Sequence, residues 1–210
     1  MFNLSPWRKR YGYQPGFEDF LFETFHGLDL ESIVPREDLG VERQLSAANA
    51  TYYQPISCRN MRFVLREAGK LGSNFQHFVD IGSGKGKACI FAARSGMFAA
   101  VTGVDFSAPL TAIALKNARH LGLKNINFDC RDAADYLLPP GKCLVFLYNP
   151  FDEIILDAFL RRNRQHFLIH SSIIAYAHDG HRGVLQNNGF ELISRFEARK
   201  VSFHRMRPIS

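Results

Sequence analysis

The chain has 210 residues, 46% of them apolar, and a formal net charge of +6. That size suits one α/β domain with a modest extension and leaves little room for two. No apolar run reaches membrane-spanning length and the opening "MFNLSPWRKRYGYQPG" has no apolar core of a secretory leader, so a soluble cytoplasmic protein without a membrane partner is expected.

Residues 1–50 are rich in Phe, Pro and Gly and show little periodicity, so they are expected to form an extension or lid rather than a domain. They hold a basic cluster, Arg8 to Arg10, and an acidic segment from Glu18 to Asp38. From residue 51 to 210 the pattern becomes regular. "ISCRNMRFVLREAGKL" places Met61, Val64, Leu65 and Ala68 at helical spacing. "HFVDIG" is a short apolar run fit for a buried parallel strand. A helix through "KACIFAARSG" is stopped at Gly96, and "AAVTGVDF" is a second strand. Ser107 can cap the next helix, with Pro109 tolerated in its first turn. "INFDCRD" and "CLVFLYNP" read as the third and fourth strands, "DEIILDAFLRRNRQ" as a helix and "HFLIHSSIIAYA" as the fifth strand. After a short helix ending at Gly189, "FELISRFEA" and "KVSFHRMR" alternate with almost nothing between them and predict a β-hairpin. The expectation is an α/β, three-layer Rossmann-like fold: a mostly parallel sheet covered on both faces and closed by an antiparallel C-terminal hairpin.

Metal chemistry is not expected. The four cysteines include no CxxC pair, and Cys89 and Cys130 fall in stretches that read as buried helix and buried strand. His178 and His181 in "HDGH" read as a polar turn. The basic clusters Arg161 to Arg164 and Arg195 to Arg207 can meet phosphates or an acidic partner, although a solvated face is the plainer account.

The informative stretch is "FVDIGSGKGKA", with glycines at 82, 84 and 86 directly behind an apolar strand. A triphosphate loop needs glycine at 81 and Ser or Thr at 88, where this chain has Ile81 and Ala88. A dinucleotide fingerprint starting at Gly82 needs glycine at 87, which is Lys87. The remaining form, Asp80-Ile81-Gly82-Ser83-Gly84-Lys85-Gly86, resembles motif I of the class I methyltransferases that use S-adenosylmethionine. Glycines there let the backbone pass beneath the aminoacid and ribose of the ligand. Asp80 can face its ammonium group. Asp105, ending the second strand, can accept both ribose hydroxyls, and Phe106 can cover the adenine. Asp132 can accept from the adenine amino group with Ala133 contributing its backbone, or serve as a helix N-cap; both readings stand.

The fourth strand ends in Tyr148-Asn149-Pro150-Phe151, which resembles motif IV of methyltransferases acting on nitrogen. There Asn149 would accept an N–H, the carbonyls beside Pro150 would supply a second acceptor, and Phe151 would offer a face for stacking. The alternative is an Asn-Pro turn with a core Phe and a cap at Asp152. Taken with "VTGVDFSAPLTAIALKNAR" and Tyr53-Gln54-Pro55, the chain is similar to a group of small bacterial class I methyltransferases of undefined substrate. "DIGSGKG" is also similar to the non-SET histone-lysine methyltransferases. The resemblance implies a seven-stranded sheet with a reversed last strand. It leaves two positions for Tyr53, over the cofactor or as an aromatic staple ahead of a helix. It implies methyl transfer to an acceptor, with nitrogen favoured. Protein amine, nucleic-acid base and small molecule all stay open. The alternatives are a non-catalytic S-adenosylmethionine-binding module and an NAD-dependent oxidoreductase.

Overall fold

The computed structural model describes residues 16–30, 34, 53–72, 74–148 and 151–207. In chain order these form α1 (Phe17–His26), α2 (Cys58–Lys70), β1 (His77–Ile81), α3 (Lys87–Arg94), β2 (Ala100–Asp105), α4 (Ala108–His120), β3 (Ile126–Cys130) and β4 (Cys143–Tyr148). There follow α5 (Glu153–Arg162), α6 (Arg164–His170), β5 (Ile173–Ala177), α7 (Arg182–Asn187), β6 (Phe190–Phe196) and β7 (Val201–Met206).

The strands make one seven-stranded sheet in the order β3-β2-β1-β4-β5-β7-β6. Pairings through β5 are parallel, while β7 runs antiparallel to both β5 and β6. The reversed last strand and the hairpin are therefore present as expected. The central strands are apolar on both faces because each face carries its own core. Phe78, Leu144, Phe146, Ile173 and Ala175 pack with α2, α3 and α4 on one side. Val79, Ile81, Val145, Leu147 and Ile174 pack with α5, α6 and α7 on the other. Alternation along each strand delivers this split. The strand order also reverses between β1 and β4. That places the carboxyl ends of these two strands at a topological switch point, where open α/β sheets hold ligands.

Local signals set the element ends. Ser57 caps α2 by accepting from the Asn60 amide at 3.2 Å, and Ser107 caps α4 by accepting from Leu110 at 3.3 Å. Each such cap contributes about 1 kcal/mol. Two readings need correction. "HFLIHSSIIAYA" is not one strand: residues 164–170 are helical and only Ile173–Ala177 is extended. Phe167 faces the core, His166 reaches the Ser172 hydroxyl at 2.8 Å, and Ser171 closes the helix at φ 50°. A short apolar run does not distinguish helix from strand by periodicity. The long helix before it breaks at Asn163, whose amide donates to the Tyr136 and Phe159 carbonyls and accepts from Leu138. The second correction is Cys130, which is exposed because β3 is an edge strand. No helix among the described residues is long and apolar enough to cross a membrane.

Candidate active site

The site begins with the loop between β1 and α3. Gly84 and Gly86 adopt φ 52° and 82°, a region costly for side-chain-bearing residues. Space is equally restrictive. A Cβ on Gly84 would lie 2.2 Å from the Tyr53 ring, and one on Gly86 would lie 2.6 Å from the Phe128 ring. The loop is tied to β2: the Gly82 and Ser83 amides both donate to the Val104 carbonyl, at 2.8 and 3.0 Å.

Asp105 is the second tie. One carboxylate oxygen accepts from the Gly84 amide and the other from the Ser107 amide, each at 2.8 Å. The carboxylate thus couples the glycine loop to the start of α4. Burial pushes its pKa up to about 6, and the two amide bonds oppose that rise. Asp80 sits deeper. Burial first, and the Asp105 charge in addition, push it up to about 7, against the lowering effect of the Cys89 thiol, which donates across 3.6 Å. Burial and the neighbouring Asp80 likewise push the Cys89 thiol up, which marks it as an inert packing group. Among the described residues no cation pairs with Asp80 or Asp105. Buried carboxylates without counter-charge are costly. An ammonium is the group that suits Asp80, which lines the cavity at the loop, so Asp80 fits the aminoacid end of S-adenosylmethionine; Asp105 is turned to the Gly84 and Ser107 amides and braces the loop.

The cations of the same loop are engaged elsewhere. Lys85 is 1% exposed and its ammonium lies 2.6 Å from Asp29. Lys87 is 2% exposed and lies 2.8 Å from Asp19 of α1. Asp19 also accepts from the Cys58 amide at the start of α2, at 2.6 Å. Asn117 of α4 closes the group: its amide donates to the Asp29 and Lys85 carbonyls and accepts from the Asp29 amide. Sequence reading missed this clamp. Its only signals were an acidic segment without an assigned partner and two lysines within a glycine loop.

Tyr53 lies against Gly84, donates its hydroxyl to the Leu30 carbonyl at 2.9 Å and faces the Lys85 ammonium at 5.6 Å. Between this segment and the strand tips is a small cavity of about 30 Å³, lined among others by Tyr53, Pro55, Asp80, Gly82, Ser83 and Tyr148. Phe106 is half-buried where β2 ends. Asp132 lies beyond β3 and caps a single 3-10 turn, accepting from Ala134 at 2.9 Å, with Ala133 buried beside it. At the tip of β4, Asn149 and Pro150 lie outside the described residues. Phe151 packs into the core formed with α5, and Asp152 caps that helix through the Ile154 and Ile155 amides. The aromatic side chains that line the cavity from β4 are Phe146 and, at the strand tip, Tyr148. His181 meets Glu153 at 3.0 Å, and no group of residues among those described could hold a metal ion.

This sheet order, the glycine loop at its switch point and the two acids behind it define an S-adenosylmethionine-dependent methyltransferase fold. A family described as a methyltransferase domain matches residues 73–202, and the chain belongs to that family. Methyl transfer is the activity that the family's description gives. Solved structures agree on the fold. An S-adenosylmethionine-dependent methyltransferase from Clostridium acetobutylicum superposes with a TM-score of 0.57 at 10% identity, over 70% of this chain and 90% of that one. The [4+2]-cyclase SpnF gives 0.56 at 14% identity, over 90% and 93%. StiE O-MT gives 0.51 at 19% identity over 65% of this chain, which spans only 53% of its length. No protein of curated function matches the sequence.

Proposed function

We propose that the acceptor of the methyl group is a nitrogen held at the tip of β4, beside Tyr148 and Asn149. The observation that supports this is a shared cavity: Tyr148 lines the same space as Asp80, Gly82 and Ser83, so a group resting on its ring adjoins the donor loop. S-adenosylmethionine supplies an electrophilic methyl on a sulfonium. The chain's part is orientation: an acceptor N–H bonded to the Asn149 amide oxygen turns the nitrogen lone pair toward that methyl. Near-attack alignment is worth several kcal/mol in such displacements. Asp80, Gly82, Ser83, Gly84, Lys85, Gly86, Asp105, Phe106, Asp132, Ala133 and Tyr53 form the donor side of this reading. Residues 1–50 are its accessory segment and 51–210 its catalytic domain. A cytoplasmic setting belongs to the same reading and is supported by four free cysteines.

The test is transfer of a carbon-13 methyl from S-adenosylmethionine to cell extract, with the product examined by NMR. An N-methyl carbon is expected, and an O-methyl carbon overturns the nitrogen assignment. Asn149→Ala is expected to bind S-adenosylmethionine as the parent does and to lose turnover. Parallel digests with nuclease and protease assign the acceptor to nucleic acid, protein or small molecule.

A further inference from the structure

A second, larger cavity of about 430 Å³ is lined by His178, whose ring touches Tyr148. Its lining is Arg59 and Asn60 from the first turn of α2, His178 at the end of β5, and Ala198, Arg199 and Lys200 from the turn joining β6 to β7. Two guanidiniums, an ammonium and an imidazole therefore converge, with no carboxylate among the described lining residues. Arg199 is fixed: its guanidinium stacks on Phe63 at 4.5 Å and donates to Asn60 Oδ1 at 2.6 Å. Arg59 and Lys200 are exposed, and neither forms an ion pair with a described residue. Loss of solvent and then the Lys200 ammonium hold the His178 imidazole below its ordinary pKa, whereas Asp179 next to it works the other way. Asp179 itself is engaged by Arg195 at 2.7 Å.

The position of the cavity gives it meaning. The His178 ring meets the Tyr148 ring edge-on at 5.2 Å. Tyr148 lines the donor cavity and His178 lines the cationic one, so this pair of touching rings lies between the two spaces. A molecule reaching past the pair would place one end near the transferring methyl and the other among the cations.

We infer that the methyl acceptor is a small molecule carrying a phosphate monoester, whose phosphate seats between Arg59, Arg199 and Lys200. This rests on the reading of the β4 tip as the acceptor side. Paired guanidiniums match the oxygens of a phosphate geometrically, and the ammonium adds a point charge. The volume is that of a pocket for a small ligand, about 300–1,000 Å³. The arrangement also supplies what a transferase needs, a grip remote from the reacting atom that fixes its orientation.

The test uses the full chain and inorganic phosphate, titrated at constant ionic strength against chloride and followed by phosphorus-31 line broadening. Saturable binding is expected, weakened about tenfold in Arg59→Gln and in Lys200→Gln, the worth of one charge-assisted hydrogen bond. Both variants should bind S-adenosylmethionine in calorimetry as the parent does, since neither residue lines the donor cavity. Phosphate binding no better than chloride, or unchanged in both variants, overturns the proposal even if methyl transfer occurs. Failure of S-adenosylmethionine to bind the parent overturns the donor reading instead, and the phosphate titration still decides the site. In a second arm, a small-metabolite fraction is offered with tritiated donor before and after phosphatase treatment. Label lost after phosphatase supports the proposal. Label kept after phosphatase, or found only in nuclease-sensitive material, overturns it.

Discussion

The Lys87 ammonium and the Asp19 carboxylate meet at 2.8 Å, and both are nearly excluded from solvent. One belongs to the first turn of the helix behind the glycine loop and the other to α1, 68 positions earlier. Burial works to raise the Asp19 carboxyl, and the bonds from Lys87 and the Cys58 amide outweigh it, so its pKa lies below the ordinary value. Removing one member leaves a buried charge unpaired, which costs about 3–5 kcal/mol. Lys87→Met and Asp19→Leu should each lower the thermal midpoint strongly. The double variant should recover much of the loss. Because the folded pKa of Asp19 is depressed, the pair's stabilisation is full above about pH 4 and fades below it as the carboxyl protonates. Denaturant titration between pH 3 and 6 measures this, and the double variant should lack the acid-dependent component.

Asp80 has the opposite linkage. Its pKa is raised to about 7, so the folded chain without ligand holds a proton that the unfolded chain releases near pH 4. This group therefore favours the folded state at low pH, and its contribution declines as pH rises from about 4 to about 7. An ammonium bound against Asp80 requires the ionised carboxylate. Binding of S-adenosylmethionine should then tighten as pH rises from 5.5 towards 7.5, by up to about tenfold per unit below the pKa, and release protons to buffer. Calorimetry in buffers of different ionisation enthalpy counts these protons. Asp80→Asn should weaken binding and flatten the pH dependence between 6.5 and 7.5; Asp105, raised to about 6, leaves a residual slope below that.

The sheet was legible because its signals are local and repeated: apolar runs buried on both faces, Ser57 and Ser107 as caps, and glycines at the turns. The donor loop was legible for a steric reason, since a sequence of alternate glycines has few other uses. What was hidden depends on distance. Nothing near Lys87 names Asp19 as its partner, and nothing near Gly103 or Gly86 reveals that the Phe128 ring occupies the space their side chains would need. Residues 164–170 were misread because their apolar positions suit either period, and the break at Asn163 depends on carbonyls 27 and 4 positions away. The cationic cavity was concealed for the same reason, since Arg59 and Lys200 line one space only when β5 and the last hairpin are in place.

Gly84 separates backbone cost from steric cost. At φ 52° an added side chain is strained, and its Cβ would also strike Tyr53 at 2.2 Å. Gly96 offers a control, with φ 71° and nothing within 4 Å of an added Cβ. Gly96→Ala should lose only the backbone term, about 1–2 kcal/mol, and keep its affinity for S-adenosylmethionine. Gly84→Ala should lose more stability and weaken donor binding. Measured in a Tyr53→Ala background, which removes the clash and carries its own loss, the further cost of Gly84→Ala should fall to the Gly96→Ala level. Equal losses in Gly84→Ala and Gly96→Ala would show that Tyr53 moves aside without cost.

The clamp also bears on residues 1–50, proposed as an accessory segment. Deleting residues 1–30 removes Asp19 and Asp29 together and leaves Lys85 and Lys87 without those partners. If α1 serves chiefly as counter-charge and cover for the loop, the truncated chain should be destabilised and bind the donor poorly. The same deletion in a Lys85→Met, Lys87→Met background should then cost much less, because coupled residues are non-additive. If α1 instead closes over the acceptor, the deletion should reduce turnover equally in both backgrounds while donor affinity is retained in the methionine background. Thermal midpoints, donor affinity and turnover measured on the four chains distinguish these outcomes.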